Sequence, residues 1–561
     1  MGNSRSFDAS EKQLERSIKK RCDAGDLYGA LRLMNRRNSR FGITPQAAAQ
    51  QARTYFRLGY YDQALRTWHV CMHLAWGKKE WGETVPFIPY GGILECYSAM
   101  GEKGRVNSFR CPGGGQVTVL FGKGQTESAE KPAAETDPRD AEVSQSFLQA
   151  LSDGDMKRAY GELGRFPKDS PYYQLSCATR ALLCVATDGI RAACDFCRQL
   201  IEKEDMGVIV YLICVGGLMY LGEQEEAQEV AESFDAGQGL SADDQHMAGE
   251  MYGLCGLHQE ALRAYSGLCD RDDAKSRFGR ELLFRKAAAA FNAGRQELCD
   301  ATFDTLLTVY PYAEAARRYR NAAREYAEMR EQDSDTAEAV MSYRCDLPDA
   351  ERARCVSLLR QLKKSDLEEG GWSDARKLYD LCFDSSSGED TALQQAAVRT
   401  AVRLGDVEYV QGILLDPYVA QDVRDDALRS LAKRNRDGTF GVAADHTYSR
   451  ISFYRFRIGN EKRVRYLTAY AEACLKYGYG TEARGKSLAA AAESLYDGMR
   501  ERGVLDLADA TKETACAICV MAGKTDPELG KLSTEQLAAV FSADAGTLEK
   551  ILSGTGTEAE D

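Results

Sequence analysis

"GLHQEALRAY", Gly256 to Tyr265, sets a glycine five residues ahead of an alanine and nine ahead of an aromatic ring. Variants of the phrase return as "GEQEEAQEVA" from Gly222, "GYYDQALRTW" from Gly59 and "GDLYGALRLM" from Gly25. The glycines serve as markers. Gly25 and Gly59 are 34 residues apart, and so are Gly154 and Asp188, Asp188 and Gly222, and Gly222 and Gly256, with Asp188 of "TDGIRAAC" standing in for glycine. Gly59 to Gly101 is 42, Gly256 to Gly294 is 38 and Gly370 to Gly405 is 35. Helical periodicity fills both sides of each marker, so each unit is expected to be a helix, a tight turn and a second helix.

Packing explains the residue types. Glycine falls where the first helix stops, at a backbone conformation with positive φ or a close approach. Alanine five residues on lies in the first turn of the second helix, where two helices cross closely. Ala30, Ala64, Ala159, Ala193, Ala227, Ala261 and Ala375 hold that place. A large side chain recurs four residues before the glycine, at Tyr55, Tyr97, Leu218 and Tyr252, and another nine after it, at Trp68, Tyr265, Phe303 and Tyr379. These are the expected fillers of the space between paired helices.

The pattern resembles the tetratricopeptide repeat. It is carried best by "GEMYGLCGLHQEALRAY", with Gly249, Tyr252, Gly256, Ala261 and Tyr265, by "FNAGRQELCDATFDTLLTVYP", ending in Pro311, and by "RTYFRLGYYDQALRTW". The match is closest over 44–76 and 208–312 and looser over 8–43, 84–108, 142–207 and 366–416. Cys299, Val106 and Val410 depart from it at the small position. The resemblance implies an all-α fold, an α-solenoid of stacked helix pairs, in which the first helix of each pair lines a concave groove. The groove positions it implies are Arg53, Phe56 and Arg57, then Met219 and Tyr220, then His246, Glu250, Phe284, Phe291 and Asn292. That mixture of apolar and polar groups suits an amphipathic helix or an extended peptide. The repeated Lys/Asn pattern of chaperone-tail-binding members is missing.

Composition sets the outer bounds. Twelve prolines in 561 residues favour helix over an all-β chain. A formal net charge of −13 argues against nonspecific nucleic-acid binding by the whole chain. Residues 1–40 run against that balance, with ten Lys/Arg to five Asp/Glu, which reads first as a solvated helix face. The start of the chain lacks the apolar core of a signal peptide, and the longest apolar run, "VIVYLICVGGLMYL" at Val208–Leu221, reads as a buried helix and not as a membrane span. Eighteen cysteines without a secretion signal indicate free thiols in a reducing compartment, so a cytoplasmic location is expected.

Five segments are expected. Residues 1–110 hold N-terminal helix pairs and 111–141 a flexible Gly/Pro/Glu linker, within which "QVTVLF" alternates like a short strand or hairpin. Residues 142–312 form the central array, 313–440 looser helical repeats, and 441–561 a helical C-terminal region. The end of that region, "LSTEQLAAVFSADAGTLEKIL", opens with Ser533 and Gln536 in capping-box spacing and resembles a degenerate helix-turn-helix with its turn at Ser542–Asp544. Asp544 and Glu549 beside Lys550 make a poor DNA reader, so a packing or capping role is favoured.

Other constellations are weaker. "GGGQVTVLFGKG" fails the phosphate-loop pattern at Val117 and Gly124. His69 and His73 of "HVCMH" have chelate spacing but no third ligand nearby, and read as exposed or half-buried repeat residues. The pairs Cys194/Cys197 and Cys516/Cys519 sit in helical patterns where cysteine acts as a small hydrophobe. "RISFYRFRIGNEKRVRY", Arg450 to Tyr466, is the densest basic-aromatic run; it fits nucleic acid or an acidic peptide, and equally intramolecular pairing. No catalytic constellation can be localised, and neither a cofactor nor a metal is expected. The expected function is a non-enzymatic scaffold or adaptor that binds a partner protein's peptide or helix, with no membrane. The alternative is a peptide-sensing transcriptional regulator acting on DNA through the C-terminal module or the Arg450–Arg465 patch. A third is an accessory subunit whose partner carries the chemistry.

Overall fold

A computed structural model describes residues 3–76, 78, 80, 87–101, 137–234, 239–332, 339–347, 349–365, 367, 372–384, 391–434, 439–444, 447–452, 469–470, 473, 482–527 and 529–553. The fold is all-α and built of repeated helix pairs. The "QVTVLF" stretch, the Gly-rich run around it, Val106, Gly370 and most of the Arg450–Tyr466 patch lie outside the described residues.

The chain divides into two compact units. The first comprises 1–119, 307–315 and 346–561. It holds α1 (Asn3–Asp23), α2 (Leu27–Phe41), α3 (Pro45–Arg57), α4 (Tyr61–Ala75) and α5 (Phe87–Ala99). The second comprises 120–306 and 316–345. It holds α6 (Pro138–Ser152), α7 (Met156–Leu163), α8 (Tyr173–Thr187), α9 (Ile190–Lys203), α10 (Val208–Tyr220), α11 (Gln224–Glu232), α12 (Ala242–Leu254), α13 (His258–Cys269) and α14 (Asp272–Asn292). It also takes most of α15 (Gln296–Val309) and of α16 (Glu314–Gln332). The first unit resumes with α17 (Asp349–Gln361), α18 (Trp372–Phe383), α19 (Thr391–Leu404), α20 (Val407–Leu414) and α21 (Gln421–Arg434). After an antiparallel hairpin of β1 (Thr439–Ala444) and β2 (Thr447–Ser452) come α22 (Glu482–Glu501), α23 (Thr511–Ala522), α24 (Thr534–Phe541) and α25 (Ala545–Leu552).

The marker glycines end the first helix of each pair by one device. At Gly256, φ is +79°, the Gly256 N–H donates to Gly253 O at 3.3 Å and the Leu257 N–H to Tyr252 O at 2.9 Å. This is the Schellman pattern, which satisfies carbonyls the helix itself leaves open and needs a left-handed residue that only glycine adopts cheaply. The same two bonds recur around Gly25, Gly59, Gly154, Gly222, Gly294 and Gly405. Asp188 is the exception: its φ is −119°, and the left-handed position moves one residue on, to Gly189 at φ +95°. The alanine phase survives this shift, because Ala193 still faces inward.

All seven alanines of the small position are buried, and so are the departures Cys299 and Val410. The large residues before and after each turn are buried as well. Helical glycines make room for rings: a Cβ on Gly249 would come within 2.7 Å of Tyr265, and one on Gly92 would run into Trp68. A fully buried ring of that kind stabilises its pair by about 2–3 kcal/mol. The Val208–Leu221 run forms α10, with Val208, Val210, Tyr211, Cys214, Val215 and Leu218 buried. Among the described residues no helix is long and apolar enough to cross a membrane.

Two boundaries differ from expectation. Helix α6 begins at Pro138, with Asp137 accepting from the Arg139 N–H, so the last residues of the 111–141 stretch are ordered by a cap and a first-turn proline. The C-terminal region is not wholly helical, because β1 and β2 pair from Thr439↔Ser452 to Ala444↔Thr447. Phe440, Val442 and Tyr448 of this hairpin are buried, and their β-preference is realised because helices supply a face to cover.

Candidate partner-binding surface

In the second unit, helix α12 ends beside Gly253, which leaves an open patch on its own helix. The ring of Tyr343 occupies that patch, near enough that a Cβ at Gly253 would come within 3.0 Å of it. The Tyr343 hydroxyl lies 3.0 Å from Nδ1 of His258, the first residue of α13, and its ring is 6.0 Å from that imidazole and 6.2 Å from the ring of Tyr265. Burial pushes the Tyr343 hydroxyl up to about 12 and draws the His258 imidazole below its ordinary value. At this site the pair is therefore an uncharged contact at neutral pH.

Asn292, at the end of α14, fixes the same segment through its backbone. Its side-chain amide donates to Met341 O at 2.9 Å and its amide oxygen accepts from the Met341 N–H at 2.7 Å. One residue's donor and acceptor are thus both satisfied by a single side chain. Tyr326 of α16 accepts from the Ala339 N–H at 3.1 Å. Side chains along the segment alternate, with Met341 and Cys345 buried and Tyr343 half-buried, while Val340, Ser342 and Arg344 are exposed. Period-two burial marks a chain lying along a surface, here without strand pairing and with a bend at Tyr343 and Arg344.

The first unit uses the same device. Gln411 of α20 donates to Gly441 O at 2.7 Å and accepts from the Gly441 N–H at 3.1 Å, which docks β1 against the helices. Elsewhere in that unit, Asn35 donates to Thr308 O at 2.8 Å and the buried hydroxyl of Tyr55 to Val309 O at 3.1 Å. Those carbonyls belong to the last turn of α15, where the helix provides no donor of its own. Arg66 lies with its guanidinium over the rings of Tyr312 and Tyr418, and its Nε is 3.1 Å from the Asp416 carboxylate.

The expected groove residues separate into distinct roles. Arg53 and Arg57 are exposed on α3, with Arg53 over the Trp68 ring, and Phe56 is half-buried against Tyr61. Tyr220 is 78% exposed at the end of α10 and Met219 is half-buried. His246 stacks on Phe278 at 4.2 Å, and burial, followed by the Arg285 charge, lowers its imidazole. Glu250 lies 3.5 Å from the buried Arg285 guanidinium. Burial acts to discharge Arg285, and Tyr265, Glu281 and Glu250 outweigh it. Phe291 packs on Tyr326 and Asn292 holds Met341. Phe284 corrects the expectation: it is fully buried between Phe303 and Tyr319 and offers nothing to a partner. The physical reason is that α14 is covered on that side by both α15 and α16. Met341, Tyr343 and Tyr326 were missed; the period-two alternation of "VMSYRC" between two helical patterns is the signal that carries them.

The remaining candidates are structural in their surroundings. His69 is fully buried and not on the surface as expected, while His73 sits 3.2 Å from the Tyr448 hydroxyl. Cys194, Cys197, Cys516 and Cys519 are all buried, and burial pushes the Cys197 thiol far up. Part of the N-terminal basic segment is committed internally, since Arg37 pairs with Glu11 at 2.9 Å. Helices α24 and α25 form on either side of Ser542, whose φ is +51°, with the Ser533–Gln536 capping box made in full. Leu548 and Ile551 of α25 are buried, and Glu549 and Lys550 are exposed.

Fold and surface together define an all-α helical-repeat protein that holds non-helical chain segments on its helices. Neither a protein-family model nor a curated protein matches this chain.

Proposed function

We propose that this protein is a non-enzymatic, cytoplasmic scaffold or adaptor of tetratricopeptide type, an α-solenoid that binds a segment of a partner protein along its helix pairs. The observation that carries the reading is the two-bond grip of Asn292 on the Met341 backbone. A helix surface that pairs both backbone groups of a non-helical residue gains affinity independently of side-chain identity, and the pockets beside it add selectivity. Exposed Arg53, Arg57 and Tyr220 supply further contact groups of the kinds enriched at interfaces.

The regulator reading has less support. The exposed part of α25 offers Glu549 beside Lys550, and Asp544 caps its N-terminus by accepting from the Thr547 N–H, so negative charge sits where a DNA phosphate would approach. Affinity capture of the tagged chain from its own cytosol, with and without nuclease, tests the two. A stoichiometric protein that survives nuclease and is depleted by Asn292→Ala supports the scaffold. Nucleic acid recovered with no protein surviving nuclease refutes it in favour of the regulator.

A further inference from the structure

We infer that residues 339–345 are a resident ligand of this chain's own peptide groove: a segment that occupies the surface of α12, α13, α14 and α16 in cis and is exchanged for a partner segment of the same chemistry. The inference rests on the scaffold reading and adds to it a ligand class and a means of regulation. The class is a non-helical peptide, bent at its tyrosine, with an apolar residue two positions before that tyrosine and a small residue two after it, matching Met341, Tyr343 and Cys345.

Three features separate this segment from an ordinary connection. Its burial alternates, so only every second side chain is committed and the outward ones, Val340, Ser342 and Arg344, remain exposed. Val340 is 70% exposed, an apolar residue left in water between two that are inserted or clamped. The backbone is held by side chains, Asn292 at Met341 and Tyr326 at Ala339, and not by a helical or sheet ladder. Contacts of that kind reach backbone groups that any non-helical peptide carries. The selective contacts are the Tyr343 ring over Gly253 and beside Tyr265, its hydroxyl on His258, and buried Met341 and Cys345.

A tethered ligand acts at an effective concentration on the order of 1 mM. If its intrinsic Kd is on the order of 10 µM, the groove is about 99% occupied in cis and a free peptide binds about 100-fold more weakly than to the open groove. The probe is a fluorescent peptide of residues 339–347, read by anisotropy against the full chain. Met341→Ser with Tyr343→Ser opens the groove. The opened chain is expected to bind the probe at least ten-fold more tightly than the unaltered chain does, and Asn292→Ala in the opened chain to abolish binding. A folded opened chain that ignores the probe, or an unaltered chain that binds it equally well, overturns the inference.

Gly253→Ala provides a second measurement should the opened chain fail to fold. The three atoms nearest its Cβ all belong to the Tyr343 ring, at 3.0–3.2 Å, while alanine favours the helix it sits in. Amide exchange across 339–345 is then expected to quicken about ten-fold with α12 and α13 unchanged. Loosening of α12 and α13 together with the segment would mark it as structural cement and overturn the inference. A partner captured through Asn292-independent contacts, with no probe binding, removes this inference and leaves a scaffold acting through another surface.

Discussion

Gly249→Ala offers a direct test of how the repeat closes. Gly249 lies on α12 under the ring of Tyr265 on α13, and a Cβ there would stand 2.7 Å from Cε1 and Cζ and 3.1 Å from Cδ1. Ordinary carbon contacts are about 3.5–4.0 Å, so the ring or the helix must give by about 1 Å. The ring has little freedom. It is fully buried, its hydroxyl is 3.4 Å from Arg285 Nη1, and the rings of His246 and Tyr343 stand at 6.0 and 6.2 Å. Overpacking of this sort costs about 2–3 kcal/mol, and the gain in helix propensity returns about 1 kcal/mol. The net expectation is a loss of about 1–2 kcal/mol, close to a ten-fold rise in local opening. In a Tyr265→Leu background the obstacle is gone and the sign reverses: alanine should stabilise α12 by about 1 kcal/mol. Amide exchange over α12 and α13 in the four chains of this double-mutant cycle measures both numbers. Slower exchange in Gly249→Ala with Tyr265 still present would refute the reasoning, since the glycine would then owe nothing to the ring.

Gly256→Ala meets no clash, with only Gln228 Nε2 at 4.0 Å, yet its φ of +79° should cost about 1–2 kcal/mol in a urea titration. Asn at that position should recover part of the loss. Arg376→Met removes the guanidinium that bridges buried Asp406, at 2.7 Å, and exposed Glu408, at 2.8 Å. With Arg376 itself one-third exposed, the thermal melt should report a loss of about 2 kcal/mol, and an unchanged melt would mean that water replaces the pair. Burial pushes the Asp380 carboxyl up to about 7, above its ordinary 3.8, while Tyr409 donates to it at 2.9 Å. Its contribution is therefore full below pH 3.8 and lost as pH rises through 7, so Asp380→Asn should raise the Tm at pH 8 and change it little at pH 4. Equal shifts at both pH values would place the effect elsewhere.

What the sequence determined by itself is the repeat. A left-handed turn residue, a close helix crossing and a ring-sized gap each admit few side chains, so the 34-residue recurrence from Gly222 to Gly256 specified the helix pairs, their turns and the buried set around Ala261 and Tyr265. Local rules of this kind act within one pair and leave a readable period. Even the departure at Asp188 is local, because the adjacent Gly189 could take the turn. The groove was legible only in part. Asn292 was named from its place in the repeat, but so was Phe284, and nothing local distinguishes a helix face open to solvent from one covered by α15 and α16. The hairpin at 439–452 and the segment at 339–345 depend on amide side chains, Gln411 and Asn292, that lie 30 and 49 residues away from the backbone they hold. Such pairings have no period, and the tertiary structure alone decides which backbone reaches which side chain.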